Sequence, residues 1–555
     1  KIRRQRLHVS LQDALHDYYR TTVCTGQIAA YTRYCFHLKA GTDELWLGAN
    51  GLQDTEPHMN GNFFEFLWPN PTDGFSAPAW RSRQVYYQIF PERFKNGDSS
   101  RTPSGAEAWG SAPTRENFMG GDLAGITQQL DYIQSLGATC LYLTPIFRAP
   151  SNHKYDTADY FEIDPAFGTR DDLRRLVDGV HARGMRIILD GVFNHCGYWW
   201  DKFQDVVKNG KASPYRSWFF IHSYPVDAEQ QNYDCVGHYK WMPKLNLANP
   251  DARDYFLSVG RYWLEEFGID GWRLDVADEL PDDFIGEIRT AMEETAPDSF
   301  LLGEVWEDAT TKIAYSMRRR YLLGQELHGV MNYPFRTALI AYLLGGDADE
   351  FRETLESLRE NYPPHAFYSL MNFLSTHDTP RILTVLGADH VPGSKEERAV
   401  FRLSPARRQL GLKRLRLAAL VLFTFPGAPT VYYGDEAGME GWEDPFNRAG
   451  YPWGQEDSEL KSFFSKLAHL RREQPALQTG QLHWRWTAGS LLVFARELDG
   501  QLLTTVVNAA DTPQTLTLPW FGDTARDLLS SEVLSPADNV LPLTLLPHQG
   551  LLLTT

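Results

Sequence analysis

The sequence has no closely spaced cysteine pair: Cys24, Cys35, Cys140, Cys196 and Cys235 are odd in number, scattered, and form no CxxC. That spacing speaks against a disulfide framework or a zinc–thiolate site, and it points to a reducing compartment, the cytoplasm. Long apolar runs are missing too, since no stretch approaches the ~18 residues of a membrane span. Positive charge is in deficit. Against 71 Asp and Glu stand 54 Lys and Arg, a formal net charge of −17, and this argues against the basic surface that nucleic acid requires. The HxH and HExxH spacings of metal-dependent hydrolases do not occur. The opening residues, KIRRQRLHVSLQDALHDYYR, lack both an apolar segment and an initiating Met. They do not read as a secretory signal, and the natural chain is expected to begin further upstream.

What is present is an ordinary globular composition, 43% hydrophobic over 555 residues and 13% aromatic, enough for about two to four domains. Residues 1–80 read as a small β-sandwich-like domain, expected to be incomplete at its front, from YTRYCFHL, DELWLGANG and NFFEFLWPNP, with TDGFSAPAW as the linker out of it. From 81 to 475, short apolar runs alternate with amphipathic ones. The candidate strands are 85–90, 138–146, 185–193, 268–275, 300–306, 329–334, 373–378 and 429–436. Eight strands alternating with helices predict an α/β fold, a closed (β/α)8 TIM barrel. Between them, NPDARDYFLSVGRYWLEEFG reads as a helix with Asn249 as cap, Pro250 in its first turn, and Phe256, Val259, Trp263 and Phe267 on one face. The span from Asp190 to Asp275 is too long for one unit. It predicts an inserted domain B at about 196–246, crowded with Tyr, Trp and Phe. Residues 476–555 alternate around an Asp499-Gly500 hairpin signal and predict a carboxyl-terminal β-sandwich.

The stretch GIDGWRLDVADE (268–279) raises a question, because Arg273 and Asp275 place opposite charges inside a core strand. Two residues apart, they share one face. At the carboxyl end of a barrel strand that face lines the active site. Asp190, Asn194 and His195 stand at the end of the third strand, Glu304 at the end of the fifth, and His377 with Asp378 at the end of the seventh. Several carboxylates converging on a neutral ligand suit glycoside hydrolysis, in which one acts as nucleophile and another as acid and base. Taken singly, each such residue is equally a helix cap, a loop ion pair or a packed side chain.

These residues resemble the α-amylase family of glycoside hydrolases, family 13: DGVFNH (190–195), GWRLDVADE (271–279), EVW (304–306) and FLSTHD (373–378) stand in the order and spacing of its four signature regions. MPKLN (242–246) and the residues after Asp275 look like the cyclomaltodextrinase, neopullulanase and maltogenic amylase subgroup, which commonly has VANE where this chain has VADE. The resemblance implies Asp275 as nucleophile, Glu304 as general acid and base, and Asp378 as transition-state stabiliser. It implies that His195, His377, Asp190 and Arg273 bind the sugar at the cleaved bond, with Tyr155 stacking beneath it. Asp444 and Arg448 would contact the next sugar toward the non-reducing end, and Glu279 and Trp306 would shape the acceptor side. On this reading Arg273 holds Asp275 anionic, while an apolar neighbour such as Trp306 helps Glu304 keep its proton. Asn96, Asp98, the Gly120 carbonyl and Asp122 resemble a calcium site, with a plain Asn-Gly turn as the alternative. No cofactor is otherwise required. The expected substrates are cyclodextrins, pullulan, maltooligosaccharides and starch, cleaved at α-1,4 and in some cases α-1,6 bonds, with transglycosylation. Pairing into a homodimer through a complete amino-terminal domain is also implied. The alternatives are an α-glucosidase or glucanotransferase on the same fold, and a non-catalytic glucan-binding protein.

Overall fold

The computed structural model describes residues 3–12, 17–24, 32–58, 61–66, 78–314 and 316–555. Residues 67–71 of the expected strand NFFEFLWPNP, and 72–77 of the expected linker, lie outside these. The chain divides into two compact units, Lys1–Phe75 and Ser76–Thr555. The first is built of short antiparallel pairings: His8–Gln12 with Asp17–Arg20, Thr32–Tyr34 with Phe64–Phe66, and Phe36–Ala40 with Asp43–Gly48 and Gly51–Gln53. Its aromatic residues pack on one another, Tyr34 stacking on Phe64 at 5.3 Å and His37 on Trp46 at 4.0 Å.

The second unit holds the barrel. Its strands are β1 (Tyr86–Ile89), β2 (Cys140–Leu143), β3 (Arg186–Gly191), β4 (Gly271–Leu274), β5 (Phe300–Gly303), β6 (Gly329–Val330), β7 (Met371–Phe373) and β8 (Ala428–Tyr432). They pair in parallel in the order β6-β5-β4-β3-β2-β1-β8-β7. A parallel bridge from Met331 to Met371 brings the last gap together, leaving the barrel nearly closed. Every strand lies within an expected segment except β8, which begins one residue early at Ala428, and β7, which ends at Phe373. Residues 374–378 after β7 are loop, so His377 and Asp378 stand beyond the strand rather than on it.

Alternation along the strands sorts the side chains. Tyr86, Cys140, Tyr142, Ile188, Phe300, Leu302 and Phe373 fill the barrel, whereas Tyr87, Leu141, Leu189, Trp272 and Leu301 join the larger apolar layer that includes the helices. Register then decides the site. Asp190 stands level with Arg273 on β4, and Arg273 level with Leu302 on β5. Asp190 and Arg273 therefore share the layer of Leu302, above Ile188 and Phe300, toward the carboxyl rim. Gly271 makes this register possible, since a Cβ there would lie 2.1 Å from the Phe300 carbonyl oxygen of β5.

The helix Pro250–Phe267 forms as its sequence predicts. Asn249 accepts from the Ala252 N–H, Pro250 sits at the first position, and Gly268 closes it at φ +69°, while Phe256, Val259, Trp263 and Phe267 are buried. The segment between β3 and this helix carries one α-helix, Asp201–Asn209, two short 3-10 turns, Gly210–Ala212 and Arg216–Trp218, and a ladder of isolated bridges that includes His195 with Lys244, Phe219 with Leu245 and Cys235 with Pro243. At the carboxyl end, six strands from Gln481 to Thr554 form one sheet, and Gln514–Pro519 pairs with Val540–Leu545 in another. Val493, Leu518, Leu541, Leu545 and Leu553 fill a core of their own there. Asp499 and Gly500, at φ +50° and +84°, make the two-residue hairpin between Leu498 and Gln501.

Gly271→Ala is expected to cost about 3 kcal/mol or more, because backbone rather than a movable side chain blocks the added methyl. Urea unfolding of the two proteins checks this, and a difference under about 1 kcal/mol would show that β4 and β5 can separate without loss.

Candidate active site

Arg273 is the hub of the rim and is fully buried. Its Nη1 lies 2.9 Å from Asp190 Oδ1 and 2.8 Å from Asp275 Oδ1, and its Nη2 lies 2.9 Å from Glu304 Oε2. Asp275 and Glu304 thus stand side by side at the ends of adjacent strands on one guanidinium. Asp190 is the deepest of the three carboxyls, at 0% exposure, and accepts from Tyr142 Oη at 2.6 Å and Tyr155 Oη at 2.8 Å. Asp190 and Arg273 consequently lie beneath the other carboxyls and hold them, where the sequence reading had them touching sugar.

The electrostatics also differ from the expectation. Burial raises the Asp275 carboxyl well above its ordinary range, and Glu304, Asp190 and Asp378 push the same way, against Arg273. One cation serves three carboxylates, so it does not by itself hold Asp275 anionic. Arg273 keeps its own proton strongly: burial works to release it, but Asp190 and Glu304 more than offset that. Trp306 is not simply an apolar neighbour of Glu304. Its indole N–H points to Glu304 Oε1 at 3.2 Å, Tyr333 Oη donates to the same oxygen at 3.3 Å, and the two rings stack at 4.3 Å.

A strained turn completes this pair. Val276, immediately after Asp275, is left-handed at φ +47° and ψ +48°, a conformation costly for a β-branched residue. It aims the Val276 N–H at Glu304 Oε2, 2.9 Å away.

The loop after β7 is anchored from another side. His377 accepts from Gln88 Nε2 at its Nδ1, 2.8 Å away, which leaves the ring hydrogen on Nε2. That nitrogen meets Tyr155 Oη, and the Tyr155 and His377 rings are parallel, 7° apart at 5.4 Å. Asp378 lies 3.1 Å from His377 Nε2 and 3.5 Å from Arg448 Nη2. Arg448 also binds Asp444 at 2.9 Å, and Arg115 binds Asp444 at 3.2 Å. Burial, then Glu304, pushes the Asp378 carboxyl up to about 7. His195 is buried, so its ring is neutral, pushed down to about 3. Neither of its nitrogens makes a well-formed hydrogen bond among the described residues, although Asp275 Oδ2 lies 3.9 Å away. A buried imidazole without a partner suits a ligand hydroxyl.

On the far side, Glu279 is held by Lys244 of MPKLN at 2.5 Å and by Asn194 at 3.3 Å. Asp278 is taken up by Lys312 and Tyr321, each at 3.1 Å. Four partners escaped the sequence reading: Tyr142, Gln88, Tyr333, and Asn447, whose amide donates to the carbonyls of Thr376, His377 and Thr379 and shapes the Asp378 loop. Inward alternation on β1 and β2 was the available signal for Gln88 and Tyr142. Asn447, in an irregular loop beside Arg448, carried none.

The two carboxylates of the loop resembling a calcium site, Asp98 and Asp122, are engaged by the protein's own donors. Asp122 caps the helix Leu123–Gln128 and accepts from the N–H groups of Gly125, Gly97 and Asp98 at 2.6, 3.0 and 2.8 Å. Asn96 donates its amide NH2 to Thr102 at 2.7 Å. Arg101 lies 3.0 Å from Asp98 and 3.4 Å from Asp172. A guanidinium thus stands among the carboxylates, and the set does not fit an ion that needs about 6–8 free oxygens.

Comparison with known proteins agrees with this geometry. The α-amylase catalytic-domain model matches residues 88–470 and the maltogenic amylase C-terminal-domain model matches residues 487–552, so the chain belongs to the α-amylase family. A cyclomaltodextrinase of Geobacillus thermopakistaniensis is 41% identical over 88% of this chain and 79% of its own length. Neopullulanase 2 of Thermoactinomyces vulgaris is 37% identical over 94% of this chain and 86% of its own. A solved cyclomaltodextrinase structure superposes with a TM-score of 0.78 at 35% identity, covering 99% of this chain and 90% of that one. The protein is a glycoside hydrolase of the cyclomaltodextrinase and maltogenic amylase type.

The raised Asp378 carboxyl sets a stability prediction. Because the folded state holds that proton more tightly than the ordinary value of 3.8, stability is lost as pH rises from about 4 through about 7. Asp378→Asn is therefore expected to stabilise the fold at pH 7.5 by on the order of 1–2 kcal/mol, after allowance for solvent screening at its partly open side chain, and to change little at pH 4. Thermal unfolding across that range measures it; equal effects at both ends would show that the proton is not held there.

Proposed function

We propose that the protein hydrolyses α-1,4-glucosidic bonds in cyclodextrins, pullulan and maltooligosaccharides with retention of configuration. The observation that carries this is the pairing of Asp275 and Glu304 on one guanidinium at the barrel rim. Such a pair suits the closer of the two glycosidase spacings, ~5–5.5 Å, at which a carboxylate attacks carbon directly. Asp275 attacks the anomeric carbon while Glu304 gives its proton to the glycosidic oxygen, releasing one sugar chain and leaving the other as an ester on Asp275. Glu304 then takes a proton from a water or a sugar hydroxyl, which attacks the same carbon and frees Asp275. Water gives hydrolysis; a sugar gives transglycosylation. Three carboxyls around one cation favour keeping a proton within the group, as the first step requires. His195 and His377 offer neutral imidazoles to the sugar hydroxyls, Tyr155 offers its ring, and Asp378 offers charge to the developing oxocarbenium. Trp306 and Glu279 border the acceptor side, Asp444 and Arg448 the non-reducing side.

No metal takes part on this reading, since Arg101 supplies the positive charge in the loop resembling a calcium site. The cysteines among the described residues are free thiols, which fits a cytoplasmic protein. Association into a homodimer rests on the family resemblance and is measurable by sedimentation.

Asp275→Asn is expected to fold normally and still bind maltooligosaccharides while turnover falls below ~10⁻³ of the parent; higher residual activity in a pure sample would remove Asp275 as nucleophile. Maltose from β-cyclodextrin and panose from pullulan are the expected products by chromatography, and glucose alone would favour the α-glucosidase alternative. Dialysis against EDTA is expected to leave the melting temperature and the activity unchanged, and a fall restored by calcium would overturn the metal-free reading.

A further inference from the structure

The insert after β3 exposes large aromatic rings that the catalytic site does not use. Trp199 is 47% exposed and Trp241 39% exposed, yet they stack on each other at 5.2 Å and 23°. Tyr198 braces both edge-on, at 5.6 Å from Trp199 and 5.2 Å from Trp241, and the Lys240 ammonium lies over the Trp241 ring at 4.8 Å. Trp241 thus packs against three neighbours and is still partly exposed, and Trp199 is the more exposed of the two rings. Leaving two large indoles in water is costly unless something covers them, and here they are held rigid by packing at their edges.

Their position in the chain says what that cover is. The Tyr198 N–H donates to the Trp241 carbonyl at 2.9 Å and the Cys196 N–H to the Pro243 carbonyl at 3.0 Å, continuing the bridge of His195 with Lys244. One end of this ladder is therefore His195, 3.9 Å from the Asp275 carboxylate, with Lys244, which holds Glu279; the other end is the indole pair. Four residues of chain reach at most about 14 Å, so Trp199 lies within that distance of His195, a span that a few sugar units cover. A pyranose ring has a C–H face that packs flat on an indole and carries no charge for Lys240 to repel.

We propose that Trp199, braced by Trp241, is a remote stacking platform for a glucose unit of a long α-glucan whose other end occupies the catalytic site, and that it sets a preference for chain length. This rests on the glucan-hydrolase reading above. Substrates too short to reach gain nothing from it.

The test compares kcat/KM on maltoheptaose and maltotriose for the full-length parent, Trp199→Ala, Trp241→Ala and Trp199→Phe. The ratio of the two substrates is expected to fall about tenfold in Trp199→Ala, carried by KM, with a smaller fall in Trp241→Ala and partial retention in Trp199→Phe. In Asp275→Asn, maltoheptaose should quench tryptophan fluorescence, and that quench should shrink when Trp199→Ala is added. An unchanged ratio in an otherwise active Trp199→Ala overturns the platform while leaving the hydrolase reading intact. A parent that cleaves neither oligosaccharide overturns both. Sedimentation showing that Trp199→Ala dissociates a dimer, with the ratio unmoved, assigns the ring to a second copy of the chain instead.

Discussion

One guanidinium organises the catalytic rim. Arg273 is fully buried and ion-paired to Asp190, Asp275 and Glu304 at 2.8–2.9 Å. A cation in that position would be intolerable alone and is underpowered for three anions. Both facts matter. The surplus of carboxyl groups keeps a proton near the bond to be cleaved, and the shared partner fixes two reactive oxygens relative to each other. Asp190 serves this arrangement from below, tied to Tyr142 and, through Tyr155, to His377. The third, fourth, fifth and seventh strands are thus joined by one polar network resting on an apolar barrel interior.

Strain and register supply the precision. The left-handed Val276 sits where the chain turns out of the barrel, and its N–H braces Glu304. The favourable packing of β4, with Trp272 and Leu274 wholly buried, maintains a conformation that the residue would avoid on its own. Gly271, three residues before Leu274, has the opposite role: it lets β4 approach β5 closely enough for Arg273 to reach Glu304.

Much of this was legible in the sequence because the barrel has a strict period. Strand alternation put Arg273 and Asp275 on one face, and parallel-strand spacing put Asp190 and Glu304 at the same rim. What escaped notice was set by tertiary contact. That Arg273 also serves Glu304 depends on register between neighbouring strands, which neither strand records. The burial that raises Asp275, and the indole N–H that Trp306 turns toward Glu304, depend on rotamer and depth. In the Asp98–Asp122 loop the same limit applies, since carboxylates placed like metal ligands are engaged by backbone N–H groups and by Arg101, contacts that spacing does not record.

The contact between Lys244 and Glu279 joins the insert to the loop after β4 across a 2.5 Å ion pair. The insert after β3 is therefore not an independent appendage on the barrel. Any chimera that exchanges the 196–246 segment with that of another barrel must bring a cation at position 244 along with it, or leave Glu279 with the Asn194 amide in place of a countercharge at the edge of the catalytic cleft. Divergence of the two segments is in this sense linked, and sequence variation at one end of the pair should be legible at the other.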